Sequence, residues 1–183
     1  ILLSKKLMED NSIMISGNKS SKYFADKYDL QIVRSSYFNS AYREKISKIN
    51  KDLGTVGAVA IDNAGNICSG TSTGGRQHKI TGRVGDTPLV GISTIADNNY
   101  VGISCTGEGE EIIKNNTASQ ILYRMKFNNQ SLKNSINDTL NDIKGSCGII
   151  GIDKNYNIYY GKNTEIMYVG YLGDNIQQNT ELW

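Results

Sequence analysis

The stretch GTVGAVAIDNAGNICSGTSTGG occupies residues 54–75 and decides how the rest of the chain is interpreted. Residues 56–61 and 67–71 are small, apolar or β-branched, which is typical of strands. The segment DNAGN, residues 62–66, lies between the two runs, and Asn, Asp and Gly favour turns. We therefore predict a β-hairpin over this stretch.

A second apolar hairpin is predicted ninety-one positions further along the chain. Residues 147–153 and 157–161 repeat the Gly, Ile, Asp and Asn of the first hairpin at matching places. The shared composition of buried hairpins explains this similarity as well as duplication does. Residues 110–127 and 131–144, between the hairpins, have helical periodicity. We expect two stacked sheet regions with helices, in an α/β or α+β layered fold.

The segment before residue 54 has a different character. Apolar residues recur at helical spacing over 2–9 and 20–28, on either side of a short apolar stretch at 13–15. Residues 40–52 are polar and rich in lysine, which is typical of an exposed helix or a mobile connector. We expect a linker that ends near Gly54.

Composition excludes several classes of function. The 183 residues suffice for one domain, and the 20 basic and 18 acidic residues lack the dense basic block typical of nucleic-acid binding. No apolar run is long enough to span a bilayer. His78 is the only histidine, which we place in an exposed loop, so a metal site with several histidines is impossible. Cys68, Cys105 and Cys147 form no metal-binding pattern, and we expect reduced structural thiols in a cytoplasmic protein.

The hairpin turn determines which residues lie opposite each other. If the strands pair at Ile61 near the turn, we place Thr55 roughly opposite Gly74, beside a run rich in hydroxyl groups and glycine. Regular pleating then turns Thr73 to the other face of the hairpin. Contact between the Thr55 and Thr73 hydroxyls is expected to need a local kink, which Gly74 and Gly75 can provide.

Four motifs follow one another along the second part of the chain. They are GTVGAVA at 54–60, TSTGG at 71–75, GRVGD at 82–86 and SCTG at 104–107. In order and spacing they resemble the plant-type L-asparaginase and isoaspartyl peptidase family of threonine N-terminal nucleophile hydrolases.

The resemblance implies an αββα four-layer sandwich of the N-terminal nucleophile hydrolase type. Residues 1–54 resemble the C-terminal part of the family's α subunit and the linker, and residues 55–183 resemble its catalytic β subunit. The implied partners are the remaining N-terminal portion of the α subunit and a second copy, in an (αβ)2 dimer of heterodimers. The family needs no cofactor or metal for catalysis, and its structural sodium site would lie in the missing α-subunit portion.

The resemblance makes Thr55 the nucleophile, and chemistry explains why a threonine stands there. A hydroxyl needs a base, and a threonine that begins a chain carries its own α-amino group, whose unperturbed pKa is about 7.7–8.0. In the precursor that nitrogen belongs to the Gly54–Thr55 peptide bond, so the hydroxyl must first attack the Gly54 carbonyl. The alternative is an ordinary threonine at the start of a strand.

The other site residues are carried over from the same resemblance. Thr73 is similar to the threonine that hydrogen-bonds the nucleophile, Arg83 to the residue that binds the substrate carboxylate, and Asp86 to the one that binds its α-ammonium group. Thr106 and Gly107 are similar to the oxyanion-hole pair, which is also in contact with substrate. The alternatives are a turn-capping hydroxyl at Thr73, a structural ion pair between Arg83 and Asp86, and a tight turn at Thr106.

The implied activity is hydrolysis of L-asparagine and β-aspartyl (isoaspartyl) dipeptides through an acyl-threonine intermediate. Glycosylasparaginase is an alternative, although TSTGG at 71–75 favours the asparaginase branch, and Asp86 argues against the protease branch. An alternative of another class is a non-catalytic, uncleaved precursor or remnant. The chain departs from the family at Ser93 and Ile95, near which a glycine and an aromatic residue are common, so the packing behind the site is expected to differ.

Overall fold

The computed structural model describes residues 1–38, 40, 54–173 and 176–182, and the chain divides into two units. The first unit is Ile1–Leu53 with Arg76–Lys79, and the second is Gly54–Gly75 with Ile80–Trp183. The connector predicted over residues 40–52 lies almost wholly outside the described residues.

The first unit contains two short helices, α1 (Leu2–Leu7) and α2 (Asn18–Lys27), and a 3₁₀ helix, Ser35–Phe38. Both predicted helices are confirmed. The Asp10 carboxylate accepts hydrogen bonds from Lys27 Nζ at 2.6 Å and from the Tyr28 hydroxyl at 2.7 Å. These two bonds, that of Lys27 above all, lower the pKa of Asp10 to about 2.

The predicted hairpin around the motif at 54–60 is confirmed. Strand β1 (Thr55–Ile61) pairs antiparallel with β2 (Ile67–Thr73), and Ile61 lies opposite Ile67 beside the turn. Asp62 shapes this turn because its Oδ1 accepts the backbone N–H of Ala64 at 2.9 Å and that of Asn66 at 2.8 Å.

The second predicted hairpin forms half of a four-stranded antiparallel sheet. Its strands are, in order, β3 (Thr94–Asp97), β4 (Val101–Gly107), β5 (Cys147–Asp153) and β6 (Ile158–Lys162). The two hairpin turns share one hydrogen-bond pattern. Asp153 Oδ1 accepts the N–H groups of Asn155 and Asn157, both at 2.9 Å, as Asp62 does in its own turn. The similarity between the two stretches therefore includes the conformation of their turns.

Three helices connect β4 to β5: α3 (Gly109–Lys114), α4 (Thr117–Asn128) and α5 (Leu132–Asp142). The single helix predicted over residues 110–127 is wrong, because the chain breaks between α3 and α4. Asn116 there has φ 47°, a left-handed conformation that Asn tolerates better than most residues. The helix predicted over 131–144 is confirmed, and the Ser131 hydroxyl caps its start by accepting the Asn134 N–H at 3.2 Å.

The four-stranded sheet lies between the helices and the β1–β2 hairpin. Helices α4 and α5 cover one face, and the hairpin packs on the other. Because successive side chains of a strand point to opposite faces, alternate residues of β4 face the helices and the hairpin. The face toward the helices belongs to a buried apolar cluster, made of Val101, Ile103, Cys105, Ile112, Ala118, Ile121, Leu122, Leu132, Ile136, Leu140, Ile143, Cys147 and Ile149. On the hairpin side, a Cβ at Gly102 would lie 2.7 Å from Ile67 Cγ2, so the layers touch closely at this end.

The layered α+β fold is thus confirmed, and the second unit shows helix, sheet and hairpin layers. Strands β7 (Tyr168–Gly173) and β8 (Ile176–Leu182), which the sequence did not predict, form a separate antiparallel pair. No helix in the described part of the chain is long and apolar enough to cross a membrane.

Candidate active site

Thr55 and Thr73 meet at the open end of the β1–β2 hairpin. Thr55 is the first residue of β1 and lies directly opposite Thr73, the last residue of β2. The Thr55 hydroxyl donates to Thr73 Oγ1 at 3.3 Å, and the Gly75 N–H donates to the same oxygen at 3.0 Å. The N–H group of the turn that follows Thr73 therefore fixes the Thr73 oxygen in a position where the Thr55 hydroxyl can donate to it.

This register corrects the prediction that Thr55 faces Gly74. In an antiparallel pair the two residue numbers have a constant sum, so the Ile61–Ile67 pair places Thr55 opposite Thr73. Residues directly opposite each other point to the same face of a sheet. The two hydroxyls therefore meet in a regular hairpin, and the predicted kink is not needed.

Thr106 and Gly107 end β4, on the sheet that faces this hairpin. Gly57 of β1 lies over Ser104, and the Ile67 end of the hairpin lies over Gly102. The hairpin is therefore oriented so that the start of β1 lies toward the end of β4. Gly107 has φ 135°, and a Cβ there would lie 2.1 Å from the Ser146 carbonyl oxygen, so only glycine fits at this position.

Arg83 lies in the loop that leads to β3, and it forms a two-pronged ion pair with Glu110 of α3. Arg83 Nε is 2.7 Å from Glu110 Oε1, and Arg83 Nη2 is 2.9 Å from Oε2. The Arg83 side chain is only 17% exposed. The structural alternative for Arg83 was an ion pair with Asp86, whereas the ion pair found here is with Glu110, a partner that the sequence did not identify.

Asp86 and Arg83 approach each other around Gly109. A Cβ at Gly109 would lie 2.6 Å from Asp86 Oδ1 and 3.3 Å from Arg83 Nη2. Asp86 is buried. The pKa of the Cys147 thiol is raised to about 12, mainly by burial of the thiol and to a smaller extent by the nearby Asp86 charge. The two residues assigned to substrate recognition therefore lie together, at the start of the helix that follows Gly107.

Gly109 and Glu110 are the site residues that sequence reasoning missed. Acidic residues are common in the first turn of a helix, so Glu110 looked like part of an ordinary helix start. Its partner is 27 positions away, and no local pattern reveals such a contact. The only sequence signal for this part of the site was Gly109, the second glycine of the Gly-Glu-Gly run at residues 107–109.

The structure also shows the surroundings of two other residues that the sequence singled out, His78 and Ser93. His78 is exposed in a loop of the first unit, as predicted. Ser93, where the chain departs from the family pattern, is fully buried and donates its hydroxyl to the Cys105 carbonyl at 3.0 Å. A shallow depression along α4 includes Gln120 and Tyr123 but none of the predicted site residues. Among the described residues, no group of three or more His, Cys, Asp or Glu could hold a metal ion.

Comparison with known proteins agrees with the motifs. The profile of a family described as Asparaginase matches residues 39–181. An isoaspartyl peptidase of Salmonella typhimurium is 43% identical over 130 residues, which cover 68% of this chain and 42% of the relative. An isoaspartyl peptidase of Escherichia coli is 34% identical over 198 residues, covering 95% of this chain and 62% of the relative.

An animal protein shows the same similarity. An isoaspartyl peptidase/L-asparaginase of Bos taurus is 43% identical over 122 residues, which cover 61% of this chain and 39% of the relative. The chain thus spans 42% and 62% of the lengths of the two bacterial relatives.

Proposed function

Because this chain belongs to the plant-type asparaginase and isoaspartyl peptidase family, we propose that it carries the catalytic residues of an amidohydrolase whose nucleophile is Thr55. The observation that carries the proposal is the 3.3 Å hydrogen bond between the Thr55 and Thr73 hydroxyls. Thr55 is the residue directly after Gly54, so its backbone nitrogen belongs to the peptide bond proposed to be cut. A hydroxyl at the first position of a strand, oriented by a second hydroxyl and followed by cleavage that frees its own α-amino group as base, is suited to a threonine nucleophile.

The first proposed reaction is self-cleavage. Thr55 Oγ1 attacks the Gly54 carbonyl carbon, the C–N bond breaks, and the hydroxyl proton passes to the leaving nitrogen. Water then hydrolyses the ester, which releases a Gly54 carboxylate and restores the Thr55 hydroxyl. The new α-amino group of Thr55 becomes the base for later turnovers.

The second reaction is amide hydrolysis. The α-amino group accepts the proton of the Thr55 hydroxyl, and Oγ1 attacks the side-chain carbonyl carbon of the substrate. Thr106 and the Gly107 N–H stabilise the charge that develops on the carbonyl oxygen. The amine leaves with a proton, and water hydrolyses the acyl-threonine ester. We assign Arg83 to the substrate α-carboxylate and Asp86 to its α-ammonium group.

The proposed substrates are L-asparagine and β-aspartyl dipeptides, because the relatives are named isoaspartyl peptidase or isoaspartyl peptidase/L-asparaginase. Both kinds of substrate offer a carboxylate and an ammonium group beside a β-amide. We propose that the chemistry needs no cofactor, because the chain end supplies the base.

We also propose a place of action and an assembly. The unpaired state of Cys68, Cys105 and Cys147 supports a cytoplasmic location. By resemblance, we propose that the α-subunit portion, with its sodium site, remains bound after cleavage, and that two αβ pairs associate.

The intact mass of the full-length protein and of Thr55 variants tests the proposal. We expect the native protein to split before Thr55. Thr55→Ala should stay uncut and lose turnover by about 10⁴-fold or more. Thr55→Ser should cut itself more slowly and keep part of the activity, because it loses the methyl group that restricts χ1.

Ser72→Ala is the matched control. Ser72 is exposed next to Thr73, on the opposite face of the same strand, so its loss should change neither cleavage nor turnover. Assays with asparagine, a β-aspartyl dipeptide and glycosylated asparagine then identify the substrate. Native turnover by a Thr55→Ala chain that is supplied already cut after Gly54 would remove Thr55 as nucleophile.

A further inference from the structure

Three hydroxyl groups meet between the hairpin and the four-stranded sheet. Thr71 Oγ1 of β2 is hydrogen-bonded to Ser104 Oγ of β4 at 2.6 Å, and also to Thr94 Oγ1 of β3. Thr94 and Ser104 are direct cross-strand neighbours on the sheet. One side chain of the hairpin therefore joins two strands of the facing sheet.

This cluster lies one step behind the proposed catalytic residues. Thr71 precedes Thr73 by two positions on β2, and Ser104 precedes Thr106 by two positions on β4. Residues two apart on a strand share a face and are separated by about 7 Å. The Thr71–Ser104 bond thus joins the two layers immediately next to the point where the nucleophile and the oxyanion donors must meet.

The layers are also unusually close at this step. Gly57, which lies opposite Thr71 on the hairpin, leaves no room for a side chain, because a Cβ there would be 2.2 Å from Ser104 Oγ. One step further from the site the Ser69 hydroxyl donates to the Ile103 carbonyl, and beyond it the contact between the layers is apolar, with Ile67 over Gly102. Apolar packing has no preferred distance or direction on its own, whereas a hydrogen bond has both.

We propose that Thr71 and Ser104 are positioning residues, whose hydrogen bond sets the distance between Thr55 on the hairpin and the Thr106–Gly107 pair on β4. The inference rests on the proposed function, because it assigns those residues to nucleophile and oxyanion hole. Thr94 completes the cluster by linking Thr71 to the neighbouring strand. The bond matters because a displacement of about 1 Å at reacting groups lowers rates by up to about 10²-fold.

The test replaces Thr71 in the full-length protein. Thr71→Val keeps the shape and removes the hydroxyl, so kcat for asparagine and the rate of self-cleavage should each fall about ten- to a hundredfold. KM should change by less than about threefold, because Arg83 and Asp86 lie outside the hairpin. Thr71→Ser restores the hydroxyl and should recover most of the loss. Ser104→Ala removes the other partner and should reproduce the Thr71→Val defect.

Ser69→Ala is the matched control. Ser69 lies on the same face of β2, one step further from the site, and donates to the Ile103 carbonyl of β4 at 2.5 Å. Its loss removes a bond between the same two layers, so it should lower the thermal midpoint about as much as Thr71→Val does. It should leave kcat within about twofold of native. Equal loss of kcat in Ser69→Ala and Thr71→Val would show a merely structural role and overturn the inference.

The experiments distinguish failure of this inference from failure of the proposed function. If native protein neither cuts itself nor hydrolyses substrate, the proposed function fails. Crystal structures of the native protein and Thr71→Val then decide the positioning claim without activity, through the distance between Thr55 Oγ1 and Thr106 Oγ1. An unchanged distance would overturn the claim, and a longer or more variable one would support it.

Discussion

At the scale of single residues, Gly109 limits how closely the side chains that we propose for substrate recognition can pack. It lies between Asp86 and Arg83, and it also begins α3, which follows the proposed oxyanion residues. Any side chain at this position would compete with the Asp86 carboxylate for the same space. The recognition of charged substrate groups that we propose for Asp86 and Arg83 would thus depend on a residue that has no functional group itself.

Gly109→Ala should therefore raise KM while leaving self-cleavage unchanged. Displacing Asp86 removes a charge-assisted contact of ~1.5–3 kcal/mol, which corresponds to a KM increase of about ten- to a hundredfold. Alanine also favours a helix more than glycine does, so unfolding measurements should show no large loss of stability. Gly70→Ala is the control, because nothing lies within 4 Å of a Cβ there. A native KM in Gly109→Ala would contradict this role of Gly109.

Local sequence was informative about the hairpin that carries the proposed nucleophile and less informative about the residues that contact this hairpin and the rest of the site. The pairing of Ile61 with Ile67 follows from the turn, and the correct register of Thr55 and Thr73 follows from it by counting. The Arg83–Glu110 pair and the Thr71–Ser104 bond join residues 27 and 33 positions apart. Such contacts depend on how layers stack, which strand and turn preferences do not determine.

At the scale of elements, the two Asp-based turns close the two hairpins in the same way. In each turn one Asp accepts two backbone N–H groups and the side-chain amide of the Asn four residues later. Asp153 is buried, whereas Asp62 is exposed. The Asn66 side chain and neighbouring N–H groups lower the pKa of Asp62, so this stabilisation is present above the usual carboxyl pKa and is lost as pH falls.

Asp153→Ala should destabilise the protein more than Asp62→Ala. Removing a buried acceptor leaves N–H groups unpaired and costs about 1–3 kcal/mol, which lowers the thermal midpoint by about 2–12 °C for a chain of this size. In the exposed turn water replaces the lost acceptor. Thermal unfolding of both variants at pH 7 provides the comparison. If Asp62→Ala were the less stable of the two, burial would not be what distinguishes the turns.

The two hairpins, in which apolar runs flank turns rich in Asn, Asp or Gly, were predicted, and other elements were missed or merged. The break at Asn116 was missed because the helical periodicity of residues 110–127 continues across it, although Asn favours helix ends over helix interiors. Strand β3 has four residues and β7 follows no clear turn signal, so pattern alone did not predict either one.

At the scale of the whole molecule, two thiols are buried between the helices and the four-stranded sheet. Burial raises the pKa of Cys147 to about 12 and that of Cys105 well above its usual value. Both thiols therefore stay protonated in the folded protein over a pH range in which the thiols of the unfolded chain ionise. Their contribution to stability is complete below the unfolded thiol pKa, about 8.5, and declines as pH rises.

Urea unfolding should thus show stability falling between about pH 8.5 and about pH 10.5, by up to about 1.4 kcal/mol per pH unit for each protected thiol. The variant Cys147→Ala should show a shallower decline, because one protected proton is absent. Cys68→Ala is the control, since Cys68 is exposed. An equally steep decline in Cys147→Ala would assign the alkaline sensitivity to other groups.

The β1–β2 hairpin has a further consequence for how the protein must be handled. In the described part of the chain, neither outer edge of this two-stranded sheet is hydrogen-bonded to another strand. Its outward side chains include Val56, Ala58 and Ala60, and no lysine, proline or charged residue interrupts the strand. Natural sheets use such residues to prevent strand addition from neighbouring molecules. We therefore expect association through these edges to compete with folding, and we expect dilution to reduce it because association depends on concentration.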